Sequence, residues 1–143
     1  MEWSQWRILA HRSDLPPLGD SSRGLDLLGG TTRPQRKRGR PGRVDRLWYP
    51  STYKGPACYE LGLRRNQEEP HVVYVGETGD EAQRMHDYGY DGERFSREIS
   101  EALEQGLVIV YRSCRTATKE EARRLQDSLL LRGSYPWNTQ GQT

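Results

Sequence analysis

Apolar and polar positions change their pattern along the chain near residue 56. Before that point, apolar residues form one short cluster near the start, made up of Trp3, Trp6, Ile8 and Leu9. This cluster could pack as a helical turn or as a strand against the rest of the chain. Residues 13–30 are rich in Pro, Gly, Ser and Asp and show no period, so we expect irregular chain there.

After residue 56 the pattern predicts six ordered elements. They are strands over 58–63 and 71–75, helices over 80–88 and 95–103, a strand over 107–111 and a helix over 119–132. Gly106 stops the second helix, and Thr118 forms a capping box with Glu121 at the start of the last. We therefore predict an α+β fold, close to an α/β sandwich, with a small three-stranded mixed or antiparallel sheet flanked by helices in the order ββααβα.

The charge of the chain is distributed unevenly around the same point. Residues 1–50 hold ten Lys and Arg against five Asp and Glu, whereas residues 51–143 hold twelve against fifteen. We predict a basic, irregular extension over 1–55 that acts as a DNA-binding arm, and one domain over 56–143. Clustered positive charge favours a polyanionic partner because binding releases condensed counterions, although a solvated tail is the alternative.

The positive charge is densest in one segment, which contains Arg36, Lys37, Arg38, Arg40 and Arg43. Its Arg-Gly-Arg-Pro sequence resembles the core of an AT-hook, in which the glycine, here Gly39, permits close approach to a narrow minor groove. Minor-groove insertion, general phosphate binding and an unengaged linker all remain open from the sequence.

The cysteines and the hydropathy exclude several classes of protein. Cys58 and Cys114 lie far apart without a CxxC pair, which argues against a zinc site or a disulfide framework and fits a reducing cytoplasm. No apolar run approaches the roughly 20 residues of a membrane span, and the start does not resemble a signal peptide. We expect a soluble cytoplasmic protein that is not associated with a membrane.

Several polar positions of the predicted domain suggest chemistry. Tyr59 and Tyr74 fall on adjacent predicted strands, where either could be a half-buried aromatic residue. Arg84 and Tyr88 are four residues apart on one helical face, and a guanidinium in this position suits phosphate oxygens. Gln126 falls at the edge of the apolar face of the last helix, where a polar group needs a partner, while Asp127 points away.

Together these positions resemble the motifs of the GIY-YIG nuclease superfamily. Ala57-Cys58-Tyr59 and Tyr74-Val75-Gly76 resemble the two tripeptides that name it, and Arg84, Tyr88 and Asn138 follow at the family's spacing. The family's metal-binding glutamate lies about twelve residues before that asparagine, and the corresponding position here is Gln126. The chain also departs from the family in its Ala-Cys pair, its longer loop between the tyrosines, and Glu77.

The resemblance implies hydrolysis of DNA with one divalent ion per site, Mg²⁺ or Mn²⁺, held by the side chain at position 126. It implies that Tyr59 helps to deprotonate water, that Arg84 stabilises phosphate charge, and that Tyr74 and Tyr88 orient water and phosphate. Asn138 would brace the site. A phenol serves as a base only where nearby positive charge favours its phenolate.

Gln126 lacks the charge of a glutamate, so we expect the chain to fold and bind DNA with little metal affinity or turnover. The exchange indicates a natural or deliberate inactivation, and we favour the deliberate one. The short chain resembles the compact restriction endonucleases of the superfamily, which implies site-specific cleavage of duplex DNA by a possible homodimer. A nicking or structure-specific nuclease and a non-catalytic DNA-binding module are the alternatives.

Overall fold

The computed structural model describes residues 2–14, 35–37, 45–88 and 94–140, with the backbone alone described for 35–37 and for 139 and 140. Its strands are β1 (Arg7–Arg12), β2 (Gln35–Lys37), β3 (Arg46–Trp48), β4 (Ala57–Arg64), β5 (His71–Thr78) and β6 (Val108–Arg115). Its described helices are α1 (Glu81–Asp87), α2 (Ser96–Glu104), α3 (Lys119–Arg132) and α4 (Pro136–Gln140). None of these helices is long and apolar enough to cross a membrane.

All six strands belong to one antiparallel sheet in the order β2-β3-β1-β6-β4-β5. The predicted α+β class is confirmed, but the prediction of three strands was wrong, because the apolar cluster near the start supplies an interior strand. Ile8, Leu9 and Ala10 of β1 are all buried, because strands pair along both of its edges and side chains pack on both of its faces. Residues before 55 therefore contribute directly to the sheet of the domain.

The two faces of the sheet bury different sets of side chains. One face, here called the phenol face, carries Tyr59, Leu61 and Tyr74 in a core that also contains residues of α1 and α2. The other, the thiol face, carries Cys58 and Val75, which pack against the apolar side of α3. Successive residues of a strand point to opposite faces, so Cys58 and Tyr59 separate the two cores.

The end of the chain wraps around the free edge of the sheet at β5. Tyr135 packs on the thiol face, where its hydroxyl donates to Glu60 Oε2 at 2.7 Å, and Trp137 packs in the core of the phenol face. Glu60 also forms an ion pair with Arg112 at 2.7 Å. The segment from Tyr135 to Trp137 is thus anchored on both faces.

Candidate phosphate-binding site

The start of α1 is fixed by contacts with the preceding loop. The backbone N–H groups of Glu81 and Ala82 donate to the carbonyls of Gly55 and Tyr53 at 3.0 and 2.7 Å, and Asp80 caps the helix by accepting from the N–H of Gln83. These bonds satisfy N–H groups that have no partner within a helix. They hold the helix that carries Arg84 and Tyr88.

A buried carboxylate strengthens the same anchor. Glu81 is fully buried, accepts a hydrogen bond from the hydroxyl of Ser51 at 2.5 Å, and lies 3.3 Å from Arg115 Nη2. A buried carboxylate is tolerated only with such partners. Arg115 is the last residue of β6, so the ion pair between Glu81 and Arg115 connects α1 to an interior strand of the sheet.

Tyr59, Tyr88 and Arg84, which the family resemblance assigned to one site, meet on the phenol face. The hydroxyls of Tyr59 and Tyr88 are 2.7 Å apart, and Arg84 Nη1 donates to Tyr59 Oη at 3.5 Å. Tyr59 is 0% exposed, whereas Arg84 and Tyr88 line a cavity. Tyr88, rather than Tyr59, is therefore the phenol that lines the cavity.

Tyr74 joins the group through ring contacts. Its ring centroid lies 6.0 Å from that of Tyr59 and 4.8 Å from that of Phe95, which in turn lies 5.2 Å from Trp137. Aromatic pairs at such separations stabilise a core beyond the area they bury. Tyr74 is therefore a packing partner of Tyr59 in this structure.

Gly76 allows the phenol of Tyr59 to lie across β5. A Cβ atom at this position would stand 2.7 Å from both Tyr59 Oη and Tyr59 Cζ, and 2.7 Å from Tyr74 Cε2. Distances that short are sterically forbidden for a side chain packed in a core. The glycine of the second motif is thus required by the close approach of the two phenol rings.

The environment of the phenols favours their neutral form. Burial raises the pKa of Tyr59 well above its usual value, Tyr88 and Tyr74 raise it further, and the nearby Arg84 opposes the shift. Burial also raises the pKa of Tyr88 to about 12. Burial therefore favours the neutral form of both phenols, which hydrogen-bond to each other.

A cavity of about 150 Å³ opens beside the phenols, and its described lining residues are Arg84, Asp87, Tyr88 and Arg94. The Arg94 guanidinium stacks over the rings of Tyr74 and Phe95, with its Cζ 5.2 and 4.9 Å from their centroids. The sequence reasoning missed Arg94 because it stands just before α2, where no helical period marks it. A basic residue next to a buried aromatic residue was the only signal available.

Gln126 lies apart from this group in the described contacts. It shares the sheet-facing stripe of α3 with Ala122 and Leu129, which pack with Cys58 and Val75 on the thiol face. No hydrogen bond between the Gln126 side chain and another described residue is present. Among the residues predicted for the site, Tyr59, Tyr74, Arg84 and Tyr88 are thus in contact on the phenol face, whereas Gln126 lies on a helix across the sheet.

Asn138 binds the backbone of the edge strand. Its Oδ1 accepts from the N–H of Val75 and its Nδ2 donates to the carbonyl of the same residue, both at 2.9 Å. One side-chain amide thus satisfies both backbone groups that a further strand would have paired. Asn138 holds the end of the chain beside the site, at the strand that carries Tyr74 and Gly76.

The residues around the cavity fit an anion better than a metal ion. Its described lining provides two guanidiniums, one phenol and one carboxylate. Within the described ranges, no group of three His, Cys, Asp or Glu side chains could hold a metal. Hard divalent cations prefer oxygen ligands, chiefly carboxylates, and Asp87 is the one carboxylate among the described lining residues. The described side chains of the cavity therefore do not by themselves form a site for Mg²⁺ or Mn²⁺.

The predicted DNA-binding arm is described only in part. Arg36 and Lys37 belong to β2, whose backbone pairs with β3 through Arg36↔Leu47 and Lys37↔Arg46. Arg38, Arg40 and Arg43 lie outside the described residues. The start of the predicted AT-hook-like segment is thus part of the outermost strand of the sheet.

Fold and site together define a small α+β domain with a cationic cavity beside buried phenols. The model of the family of GIY-YIG domain-containing proteins matches residues 94–143, about a third of the chain. Within residues 94–143, this match supports the resemblance to the GIY-YIG superfamily drawn from the tyrosine, arginine and asparagine motifs. Comparisons with curated proteins and with solved structures found no match.

The matched residues include α2, β6, α3 and α4, and hence Arg94, Gln126 and Asn138. They do not include the strands with Tyr59 and Tyr74, which are connected to the family by their motifs. A match to a GIY-YIG domain suggests a nuclease with DNA as its substrate, and GIY-YIG nucleases generally depend on a divalent metal.

Proposed function

We propose that this chain is the nuclease domain of a site-specific duplex DNA endonuclease of restriction type. In the form with Gln126, it binds DNA and hydrolyses it poorly. The observation that carries this proposal is the Arg84 guanidinium at a cavity that also exposes Tyr88 and Arg94, with Tyr59 behind it. This arrangement suits a phosphodiester, because guanidinium forks and phenol hydroxyls donate to phosphate oxygens.

Each side chain has a role that follows from its exposure. Arg84 donates to a non-bridging phosphate oxygen and stabilises the charge that grows there during hydrolysis. The Tyr88 hydroxyl lines the cavity and orients phosphate or water, while the buried Tyr59 hydroxyl, 2.7 Å away, fixes Tyr88. Tyr74 supports Tyr59 through its ring, and Asn138 braces β5.

The family resemblance puts the metal-binding carboxylate at position 126, so we infer that metal-dependent turnover requires a carboxylate there, even though α3 and the cavity lie on opposite faces of the sheet. When bound, Mg²⁺ or Mn²⁺ supplies charge neutralisation at the phosphate and an activated water. We therefore expect Gln126→Glu to cleave duplex DNA when either ion is added. The parent chain should bind the same duplex and leave it intact.

The test compares three proteins on linear duplex DNA: the parent, Gln126→Glu, and Gln126→Glu combined with Arg84→Lys. The single variant should cleave, and the Arg84→Lys exchange should lower its rate by about 10²- to 10³-fold, because lysine lacks the planar donor fork. This loss separates cleavage at the site from a contaminating nuclease. A Gln126→Glu variant that neither binds nor cuts any DNA would overturn the proposal.

A second candidate, a non-catalytic DNA-binding module, is favoured by the neutral Gln126 and by the cationic cavity. It predicts tight binding of duplex DNA with no cleavage even by Gln126→Glu. Discrete fragments from linear DNA would indicate site-specific cleavage, whereas preference for branched substrates would indicate a structure-specific nuclease. Sedimentation with bound duplex would show whether a homodimer forms, in which each copy could cut one strand.

The basic segment is the proposed source of additional DNA contacts. The backbone of Arg36 and Lys37 lies in β2, at the opposite edge of the sheet from β5, and Arg38, Arg40 and Arg43 follow them in the sequence. Replacing basic residues here should weaken binding to all sequences if they contact phosphates alone. We also propose an intracellular location, because DNA is found there and because Cys58 and Cys114 stay reduced there.

A further inference from the structure

We propose that Arg94 is a second phosphate-binding residue, which forms a two-guanidinium clamp with Arg84 across the cavity. This inference rests on the proposed function and adds a residue that the tyrosine, arginine and asparagine motifs do not contain. The ligand is a phosphate group, carried by the DNA backbone or present as a free anion.

The placement of Arg94 supports this role. It lines the same cavity as Arg84 and Tyr88, and its guanidinium stacks over the rings of Tyr74 and Phe95 at 5.2 and 4.9 Å. A guanidinium stacked on aromatic rings keeps the N–H donors in its plane available to an anion. The stacking also restricts the side chain, which lowers the entropic cost of binding.

The backbone next to Arg94 is held in a rare conformation. Phe95 has a φ of 65°, in the left-handed region that a bulky side chain seldom adopts. Its buried ring contacts Tyr74 and Trp137, and these contacts maintain the conformation. Strained residues of this kind concentrate at ligand-binding sites, and this one fixes the start of the Arg94 side chain at the cavity.

The charge balance of the cavity also suits an anion. Asp87 is the carboxylate among its described lining residues, and its Oδ1 already accepts from Gln83 Nε2 at 2.8 Å. Among the described lining residues, two guanidiniums therefore face one hydrogen-bonded carboxylate. The net positive charge of these side chains is what a phosphodiester, with one negative charge, neutralises.

The test measures binding of a short fluorescein-labelled duplex to Arg94→Gln and to a matched control, Arg97→Gln. Arg97 is exposed on α2, three residues away, and does not line the described cavity. Arg94→Gln should weaken binding on the order of tenfold and reduce the slope of log K against log salt by about 0.9, as loss of one phosphate contact requires. Arg94→Lys should retain the slope, and Arg97→Gln should retain both quantities.

The outcomes separate the clamp from the proposed function. If the parent and Arg97→Gln bind duplex, Arg84→Gln weakens binding, and Arg94→Gln matches Arg97→Gln, the clamp is wrong while the proposed function stands. If no protein binds duplex, thermal stabilisation by inorganic phosphate decides. If phosphate raises the melting temperature of the parent but not that of Arg94→Gln, the clamp is retained as a site for free phosphate. If phosphate affects the two proteins equally, the clamp is refuted.

Discussion

Exchange of Asn138 for aspartate offers a sharp test of how the end of the chain is held. The amide accepts from the N–H of Val75 and donates to its carbonyl, both at 2.9 Å. Asn138→Asp keeps the shape and the acceptor but replaces the donor with a carboxylate oxygen that faces a carbonyl oxygen. The variant therefore loses one hydrogen bond and adds a repulsive contact in its place.

The magnitude follows from these contacts. A net hydrogen bond contributes about 0.5–1.5 kcal/mol, and leaving the Val75 carbonyl unpaired costs about 1–3 kcal/mol, so we expect a loss of roughly 2–3 kcal/mol for Asn138→Asp. For a domain of this size, that loss lowers the melting temperature by roughly 5–10 °C. Asn138→Ala, which removes both bonds without adding charge, should cost about 1–3 kcal/mol.

The dependence on pH identifies the cause. A protonated carboxyl can donate to the Val75 carbonyl, so the pKa of the introduced acid should be higher in the folded protein than its unfolded value of about 3.9. Between these two pKa values the folded state binds more protons than the unfolded state, so the stability lost by the variant is partly regained as the pH falls. Above the folded-state pKa the full deficit is present.

Urea unfolding of the parent and of Asn138→Asp across the acidic range measures this deficit. The matched control is Gln67→Glu, the same amide-to-acid exchange at an exposed loop position. A deficit that does not change with pH, or an equal deficit in Gln67→Glu, would refute the bidentate pairing of Asn138 with β5.

Two further predictions concern the phenols. Gly76→Ala should lower the free energy of unfolding by about 1–3 kcal/mol, measured by thermal unfolding, because its Cβ would meet Tyr59. The control Gly133→Ala should lower it by less, because the nearest atom to its Cβ would be 3.6 Å away. Equal losses would contradict the packing described for Gly76. Burial raises the pKa of Tyr88 to about 12, so the unfolded chain loses this phenolic proton first, and the stability contributed by the neutral phenol is lost as the pH rises from about 10 to about 12. Urea midpoints should therefore fall more steeply over this window for the parent than for Tyr88→Phe, and parallel curves would exclude the raised pKa.

Local signals in the sequence predicted the domain after residue 56 well. The capping box at Thr118 fixed the start of α3, and its side chain accepts from the N–H of Glu121 at 3.2 Å. The bounds of that helix, Lys119–Arg132, agree with the prediction. Strands β4 and β5 were recognisable because β-branched and aromatic residues concentrate there.

The strands before residue 56 were harder to predict for physical reasons. Strand β1 is interior, so Ile8, Leu9 and Ala10 form a continuous buried run without the alternation that marks a strand with one exposed face. Strand β3, Arg46–Trp48, has three residues, too few to show any period. Both segments are strands because other strands of the sheet complete their backbone hydrogen bonds. Those partners lie far away in the sequence, so local patterns do not reveal them.

The candidate site, like the fold, was predicted from the sequence only in part. The spacing of Arg84 and Tyr88 predicted a shared helical face, and they do line one cavity. The sequence could not reveal that Tyr59 lies behind Tyr88, since depth in a core depends on packing. It also could not place Arg94, whose position depends on the left-handed Phe95 and its aromatic neighbours.

The contacts at the edge of the sheet connect Asn138 to the cavity. Asn138 fixes the backbone next to Trp137, whose ring lies 5.2 Å from that of Phe95, and Phe95 directly follows Arg94. Loosening the edge contact removes support for the strained φ of Phe95, because its buried ring is what opposes relaxation. Arg94 would then lose its fixed position although its charge is unchanged. Asn138→Asp should accordingly weaken duplex binding near neutral pH, and binding equal to that of Gln67→Glu would show that the edge and the cavity are independent.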